Sequence, residues 1–239
     1  MGRYLRLTIK VQFATRQSTK YACEHWHYSH KIPAGKLFSV GVWEDKHFLG
    51  VVIFSHGANY HIGKPYNLTQ NQCVELTRVA LRNHKGVFVS EILSKALNYL
   101  KKNQPNLVLI VSYADPDQGH KGGIYQATNW VYAGRGSSSF KYVRNGQSLH
   151  EKTISDFCRR HKALLKDFKG TRLEFVQTYW DKNINRTKTS GKHKYLMPLN
   201  KKARRKLKPI SLPYPKRADD GKDMKNIQLD LSDCVTSKL

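Results

Sequence analysis

The stretch ADPDQGHKGGIYQATNW, Ala114 to Trp130, gathers side chains that can do chemistry: Asp115, Asp117, His120 and Tyr125, with three glycines among them. Three chemistries are open to it. The glycines precede a short helix starting near Gly123, whose N–H groups could hold an anion. GHKGG nevertheless lacks the Lys-Ser/Thr pair of a nucleotide P-loop and the glycine spacing of a dinucleotide fingerprint. Asp115, Asp117 and His120 offer a metal hard oxygens plus an imidazole, although the same residue types also cap turns and helices. As a reacting centre, the stretch follows the C-terminal end of a buried strand, where open α/β sheets place their ligands. Tyr125 then has a phenol that can serve as an acid, or else pack in the core.

Three other groups stand out. CEHWHYSHKIPAGK (Cys23 to Lys36) reads as a loop before a strand, with His25, His27 and His30 interleaved with Trp26 and Tyr28. That pattern suits a base-stacking or lid surface, with His27 plus Tyr28 or His25 as alternative metal ligands or plain packing. Arg78 lies inside an apolar strand, where a charge needs either an internal ion partner or a cleft-facing anion. Lys201, Lys202, Arg204, Arg205, Lys206 and Lys208 lie in a segment, Lys182 to Arg217, that contains no Asp or Glu. Such a segment can track phosphates or serve as a solvated extension, and it carries no sequence readout of its own.

The surrounding pattern indicates what must position these residues. Leu37 to Gly57 reads as a hairpin turning at Glu44 to His47, and Cys73 to Asn83 as a third strand with Val74, Leu76 and Arg78 on one face. Ser90 to Lys102 has helical apolar spacing, with Ser90 as a natural N-cap and Pro105 beyond its end. Leu107 to Tyr113 is a continuous apolar strand, Gly123 to Trp130 a short helix, and Trp130 to Gly134 another strand. Thr153 to Phe168 reads as one basic helix, and Lys192 to Leu199 as a last edge strand. The order predicts an α/β fold on a mixed sheet. The expected organisation is a core over 1–142, a basic insertion with a helix over 143–191, the last core strand at 192–199 and an extension over 200–239, basic and then polar with a frayed end.

Composition narrows the partner class. Forty-two Lys and Arg against seventeen Asp and Glu give a net charge of +25, which points to a polyanion. No apolar run approaches the ~18 residues of a spanning helix, so nucleic acid is favoured over membrane. The four cysteines are scattered without a C-x-x-C pair, which fits a reducing cytosol and gives no thiolate zinc site.

The succession of a hairpin, ELTRVAL, a turn and helix, LIVSYAD and then IYQATNWVYAG resembles the GNAT acyltransferase fold, a three-layer α/β/α sandwich about a central mixed β-sheet. Within that fold, WHYSHKIPAGK, GVWEDKHFLGVVIF, ELTRVAL, YADPDQGHKGGIYQATNWVYAG and KYLMPL together resemble the phage Mom family, from about Tyr21 to Arg217. The resemblance implies a phage-encoded transferase, working in the host cytoplasm, that converts adenine N6 in duplex DNA to a carbamoylmethylated form and so shields phage DNA from restriction. It implies catalytic positions at Tyr125, as general acid, and at Asp115, Ser90, Arg78, His27 and Tyr28. It also associates iron with the family, which would make His27, Tyr28 and Asp115 the ligands. Double-stranded DNA, a charged tRNA as donor and a second copy of the chain are the expected partners, and no membrane is. Base flipping would call on Trp26, Tyr28, Trp43 and Tyr66 for stacking, with the basic tail and the Thr153 to Phe168 helix on the phosphates.

One departure bears on the donor. GNAT enzymes hold the coenzyme A pyrophosphate with a Q/R-x-x-G-x-G/A turn, whereas this chain reads NHKGVFVSE (Asn83 to Glu91) with Gly86 alone. The expectation therefore shifts from acetyl-CoA towards another activated acyl donor, such as an aminoacyl or glycyl one. The rival expectations are an N-acetyltransferase acting on RNA, protein or a small molecule, and a non-catalytic nucleic-acid-binding protein with an acyltransferase-like shell.

Overall fold

A computed structural model describes residues 8–56, 61–84, 86–216 and 229–235. It forms two compact units, one of residues 1–114, 120–135 and 193–239, the other of residues 115–119 and 136–192.

The first unit is built on a seven-stranded sheet. In chain order its elements are β1 (Ile9–Phe13), α1 (Arg16–Trp26), β2 (Leu37–Glu44), β3 (His47–Ser55), β4 (Cys73–Leu81), α2 (Val89–Asn103), β5 (Leu109–Ala114), α3 (Gly123–Ala127) and β6 (Val131–Arg135). β10 (His193–Pro198) and α7 (Lys201–Leu207) return to it after the second unit. The strand order is β1-β2-β3-β4-β5-β10-β6. β4 and β5 run parallel and every other pair is antiparallel, so the sheet is mixed. Ile92, Leu93, Ala96, Leu97 and Leu100 recur at helical spacing and bury one face of α2 on the sheet, in the cluster that holds Val40, Phe54, Leu76 and Ile110. On the other face, α1 packs Ala22 and Cys23 against Val51, Ile53 and Ala80, while α7 packs Ala203 and Leu207 against Leu109, Val111 and Leu196. The result is the expected α/β/α sandwich with a central mixed sheet.

The second unit has its own sheet, ordered β8-β7-β9, from β7 (Ser139–Arg144), β8 (Gln147–Leu149) and β9 (Ile184–Thr189). α4 (Glu151–Arg160), α5 (Lys162–Asp167) and α6 (Arg172–Tyr179) accompany it, and Tyr142, Ile154, Phe157, Phe175, Val176 and Ile184 form a separate core.

Several expectations are corrected. Lys192 to Leu199 does not lie at an edge: β10 sits between β5 and β6, with Tyr195 and Met197 buried in one cluster and Leu196 in the other. The basic helix is two, because His161 ends α4 and its ring folds back to bond the Phe157 carbonyl at 2.9 Å. Ser90 is not the N-cap of α2. Gly86, at φ +88, turns the chain early, and Phe88 holds the cap position without a side-chain bond. Cys23 to Trp26 is not loop but the last turn of α1, whose N-cap Thr15 accepts from the Ser18 amide. The short helix ends at Ala127, with its C-cap at Thr128, rather than at Trp130. Leu76 and Arg78 lie on different faces, because an irregularity at Thr77 pairs Ile53 with Arg78 but Phe54 with Leu76.

The chain end is corrected too. Residues 217–228 and 236–239 of the polar tail, like Gly57 at the hairpin's end, lie outside the described residues. Between the tail segments, the Leu229 and Leu231 amides donate to the Pro65 and Tyr66 carbonyls, and Leu231 and Cys234 are buried. This stretch is core, not fray. Leu231→Ala is therefore expected to cost roughly 2–4 kcal/mol, read from the urea midpoint of the whole protein; an unchanged midpoint would show the segment to be peripheral.

Candidate active site where strands β4 and β5 part

β4 and β5 pair only from Cys73 to Glu75 against Leu109 to Val111. Beyond that point the strands have no shared register, and backbone groups there need other partners. Ser112 supplies one. It is fully buried in an otherwise apolar stretch of β5, with its Oγ 2.9 Å from the Leu76 carbonyl and 2.9 Å from the Tyr125 phenol oxygen. One serine proton cannot serve both oxygens. With Ser112 donating to Leu76, Tyr125 donates to Ser112 and is held as an acid.

Tyr125 is positioned by its helix and by aromatic neighbours. Its ring lies 5.0 Å from those of Trp130 and Tyr195. Burial pushes its phenol above the ordinary value of 10, opposed by the bond to Ser112, and the nearby Tyr28 and Glu75 act in the same direction as burial. Tyr195 in turn donates to the Lys121 carbonyl at 2.6 Å and accepts from Gln126 Nε2 at 3.1 Å. Gly122, at φ +80, passes so close that a Cβ there would run into the Tyr195 ring. In GHKGG it is Gly122 that serves close approach, and what it approaches is this supporting tyrosine.

From the end of α1 come His27 and Tyr28, with ring centroids 4.2 Å apart. His27 Nδ1 lies 2.8 Å from Ser29 Oγ and accepts from the Ser29 amide at 3.1 Å. Burial, then Arg78, His120 and His30, lower the imidazole to about 4, so it is neutral at pH 7. His120 finds a place here, its ring 5.7 Å from that of Tyr28. The break at Thr77 turns Arg78 towards this group, with its Nη1 donating to the Thr77 carbonyl at 2.8 Å. Arg78 Nε and Arg82 Nε are buried without a hydrogen-bond partner among the described residues, as is His84 Nε2, whose ring donates from Nδ1 to the Arg82 carbonyl at 2.9 Å.

The structure thus brings His27, Tyr28, Arg78 and Tyr125 together. Sequence reasoning missed Ser112, Glu75, Arg82 and His84. A single polar residue in LVLIVSY was the available signal for Ser112, and the acidic residue opening ELTR the signal for Glu75. Ser90 sits in the first turn of α2, its carbonyl accepting from Ser94. Asp115 belongs to the second unit: Oδ1 accepts from the Asp117 amide at 3.0 Å and Oδ2 faces Lys192 Nζ at 3.4 Å. With both oxygens engaged, Asp115 fits a loop cap better than an iron ligand. No group of three or more His, Cys, Asp or Glu suited to a metal occurs among the described residues.

The proposed stacking residues separate. Trp26 and Trp43 are half-buried on either side of Phe48, at ring distances of 5.7 and 5.3 Å. Tyr66 is 3% exposed and has Lys194 Nζ over its ring at 5.1 Å, so it is core and not a stacking platform. In the basic segment, Lys202 and Lys206 pair with Asp233, and Arg204 donates to the Asn129 carbonyl. Lys201, Arg205 and Lys208 remain exposed on or just past α7.

The Mom protein family matches residues 8–216. The chain belongs to that family. It is 27% identical over 200 residues to methylcarbamoylase mom of Escherichia phage Mu, covering 80% of this chain and 76% of that protein. A solved structure from Acinetobacter baylyi ADP1 that carries a provisional acetyltransferase name aligns over 82% of this chain and 94% of its own, with 8% identity and a TM-score of 0.43. No helix among the described residues is long and apolar enough to cross a membrane.

The state of His27 has a measurable consequence. Its folded value of about 4 lies below the ordinary 6.5, so between these pH values the unfolded chain binds a proton that the folded chain refuses. Stability is expected to fall as pH drops from above 6.5 to about 4, and His27→Gln is expected to flatten that slope in urea titrations. An equal slope in the variant would mean that His27 titrates normally.

Proposed function

We propose that this member of the Mom family is a DNA-modifying transferase that carries an activated acyl-type unit to adenine N6, the first step towards a carbamoylmethylated base. The observation that carries this reading is the buried phenol of Tyr125, tied to Ser112 where β4 and β5 part. The family membership and the name of the phage Mu relative support the class of reaction.

The N6 amine is a poor nucleophile because its lone pair is delocalised into the ring, so the base must leave the duplex and be held against the donor. On attack at the activated carbonyl, the C–N bond forms and N6 becomes far more acidic, so its proton passes to water, while His27, whose Nδ1 already accepts from the Ser29 amide, offers its Nε2–H as a hydrogen-bond donor. His27 is kept neutral by burial and by Arg78. As the donor's C–O bond breaks, Tyr125 gives its proton to the leaving oxygen. Tyr28 is 57% exposed beside His27 and offers a stacking face for the extruded adenine. Exposed Lys201, Arg205 and Lys208 suit phosphate contacts.

We further propose an aminoacyl donor, of which glycyl-tRNA is the simplest, because a glycyl unit has the composition of the carbamoylmethyl group. In support, the β4–α2 turn has Gly86 alone where a pyrophosphate cradle would need more.

Mass spectrometry of nucleosides from cells fed labelled glycine tests both parts. The wild type is expected to yield modified, labelled deoxyadenosine. Tyr125→Phe is expected to lower the yield at least a hundredfold, in line with loss of a general acid, while retaining binding to duplex DNA. Unmodified deoxyadenosine from the wild type would overturn the reaction, and unlabelled modified base would overturn the donor.

A further inference from the structure

The second unit has a surface that the transfer chemistry does not use. β7 and β9 pair antiparallel in the register Ser139–Thr189, Phe140–Lys188, Lys141–Thr187 and Tyr142–Arg186. Their sequences, SFKYVR and INRTKT, contain four Lys or Arg and no carboxylate. At one end of the sheet Tyr142 and Ile184 are covered in the unit's core. At the other end Phe140 is 55% exposed, with the Arg186 guanidinium 4.6 Å from its ring centroid, and Lys188 is exposed opposite it.

A cavity of about 500 Å³ borders these strands, lined by Asp115, Asp117, Lys141 and Ser148 and by Ser139 and Thr189, whose hydroxyls bond each other at 2.9 Å and lie with Lys141 on the opposite side of the ladder from Arg186 and Lys188. Its size is that of a small-ligand site. The nearby carboxylates are already engaged, Asp115 by Lys192 and Asp117 by the Ser190 amide at 3.2 Å. Two exposed cations beside an exposed aromatic ring, on strands without a carboxylate, form a set that recognises a phosphodiester strand with an accessible base. A membrane headgroup or an acidic peptide would not need the ring.

We propose that this face of the second unit is a DNA-strand site, in which Arg186 and Lys188 neutralise phosphates and Phe140 stacks on an unpaired base. Arg186 has two roles: it holds the Phe140 ring from one side and presents its remaining N–H groups to phosphate. The proposal rests on the reading of DNA as substrate, and it adds a place where a strand opened by base extrusion is held.

Binding of fluorescent oligonucleotides to the full-length protein, across a salt series, tests it independently of catalysis. The double variant Arg186→Ala/Lys188→Ala is expected to weaken duplex binding and to reduce the slope of log K against log salt by about 1.8, for two lost contacts at about 0.9 each. Arg186→Lys/Lys188→Arg is expected to restore the slope. Phe140→Ala is expected to weaken a duplex carrying an unpaired bubble by about fivefold or more with the slope retained. All three positions are exposed, so thermal midpoints should stay near that of the wild type. Unchanged affinity and slope for DNA would overturn the proposal, and so would losses seen with tRNA alone. Weakened DNA binding by a protein whose wild type leaves deoxyadenosine unmodified would uphold this surface and overturn the transferase reading instead.

Discussion

The Ser112 hydroxyl is the contact on which the rest of the site depends. Two parallel strands that stop pairing after three residues leave backbone oxygens facing a gap, and Ser112 closes that gap on one side while holding the Tyr125 phenol on the other. An apolar residue at this position would leave the buried Leu76 carbonyl without this donor, at a cost of about 1–3 kcal/mol, and would free Tyr125 to turn. Because the serine has one proton, support of the strand and polarisation of the phenol are coupled: the donor that satisfies Leu76 makes Ser112 an acceptor for Tyr125.

The other half of the site comes from a second irregularity. At Thr77 an extra residue shifts the β3–β4 register, which sends Leu76 into the core beneath α2 and Arg78 to the side of α1. The cost of placing a guanidinium there is reduced by its bond to the Thr77 carbonyl. Its charge then helps keep His27 neutral. A parting of strands and a bulge, both departures from regular pairing, thus place an acid, a neutral imidazole and a cation near one another.

Much of this is legible in the sequence, and what is not has physical reasons. Local hydrophobic period marks the β2–β3 hairpin, β4, α2 and β5, because each buries a repeating pattern of its own. β10 does not declare its place: KHKYLMPL has a charged lead-in typical of an edge, and only non-local pairing puts it between β5 and β6. The second sheet is likewise hidden, since SFKYVR and INRTKT have too few apolar residues to read as strands. Arg78, His27 and Tyr28 are visible as chemically unusual residues in their contexts. Glu75 and Ser112 are not, because their importance arises where two strands separate, which no local pattern encodes. Tyr66 illustrates the reverse error, an aromatic in a polar loop that the structure buries. Lys202 and Lys206 are half of the same lesson, their charges taken up by Asp233 from a tail that looks too polar to pack.

The most direct test of the account is the ionisation of the Tyr125 phenol itself, followed by carbon NMR of protein labelled at tyrosine Cζ and assigned by comparison with Tyr125→Phe. Tyr125 is expected to titrate above its ordinary value of 10 in the wild type and higher still in Ser112→Ala, because burial raises it and Ser112, once the phenol ionises, can turn its proton to the phenolate and oppose that rise. A phenol titrating at or below 10, or one indifferent to the loss of Ser112, would contradict the proton-sharing contact on which the site is built.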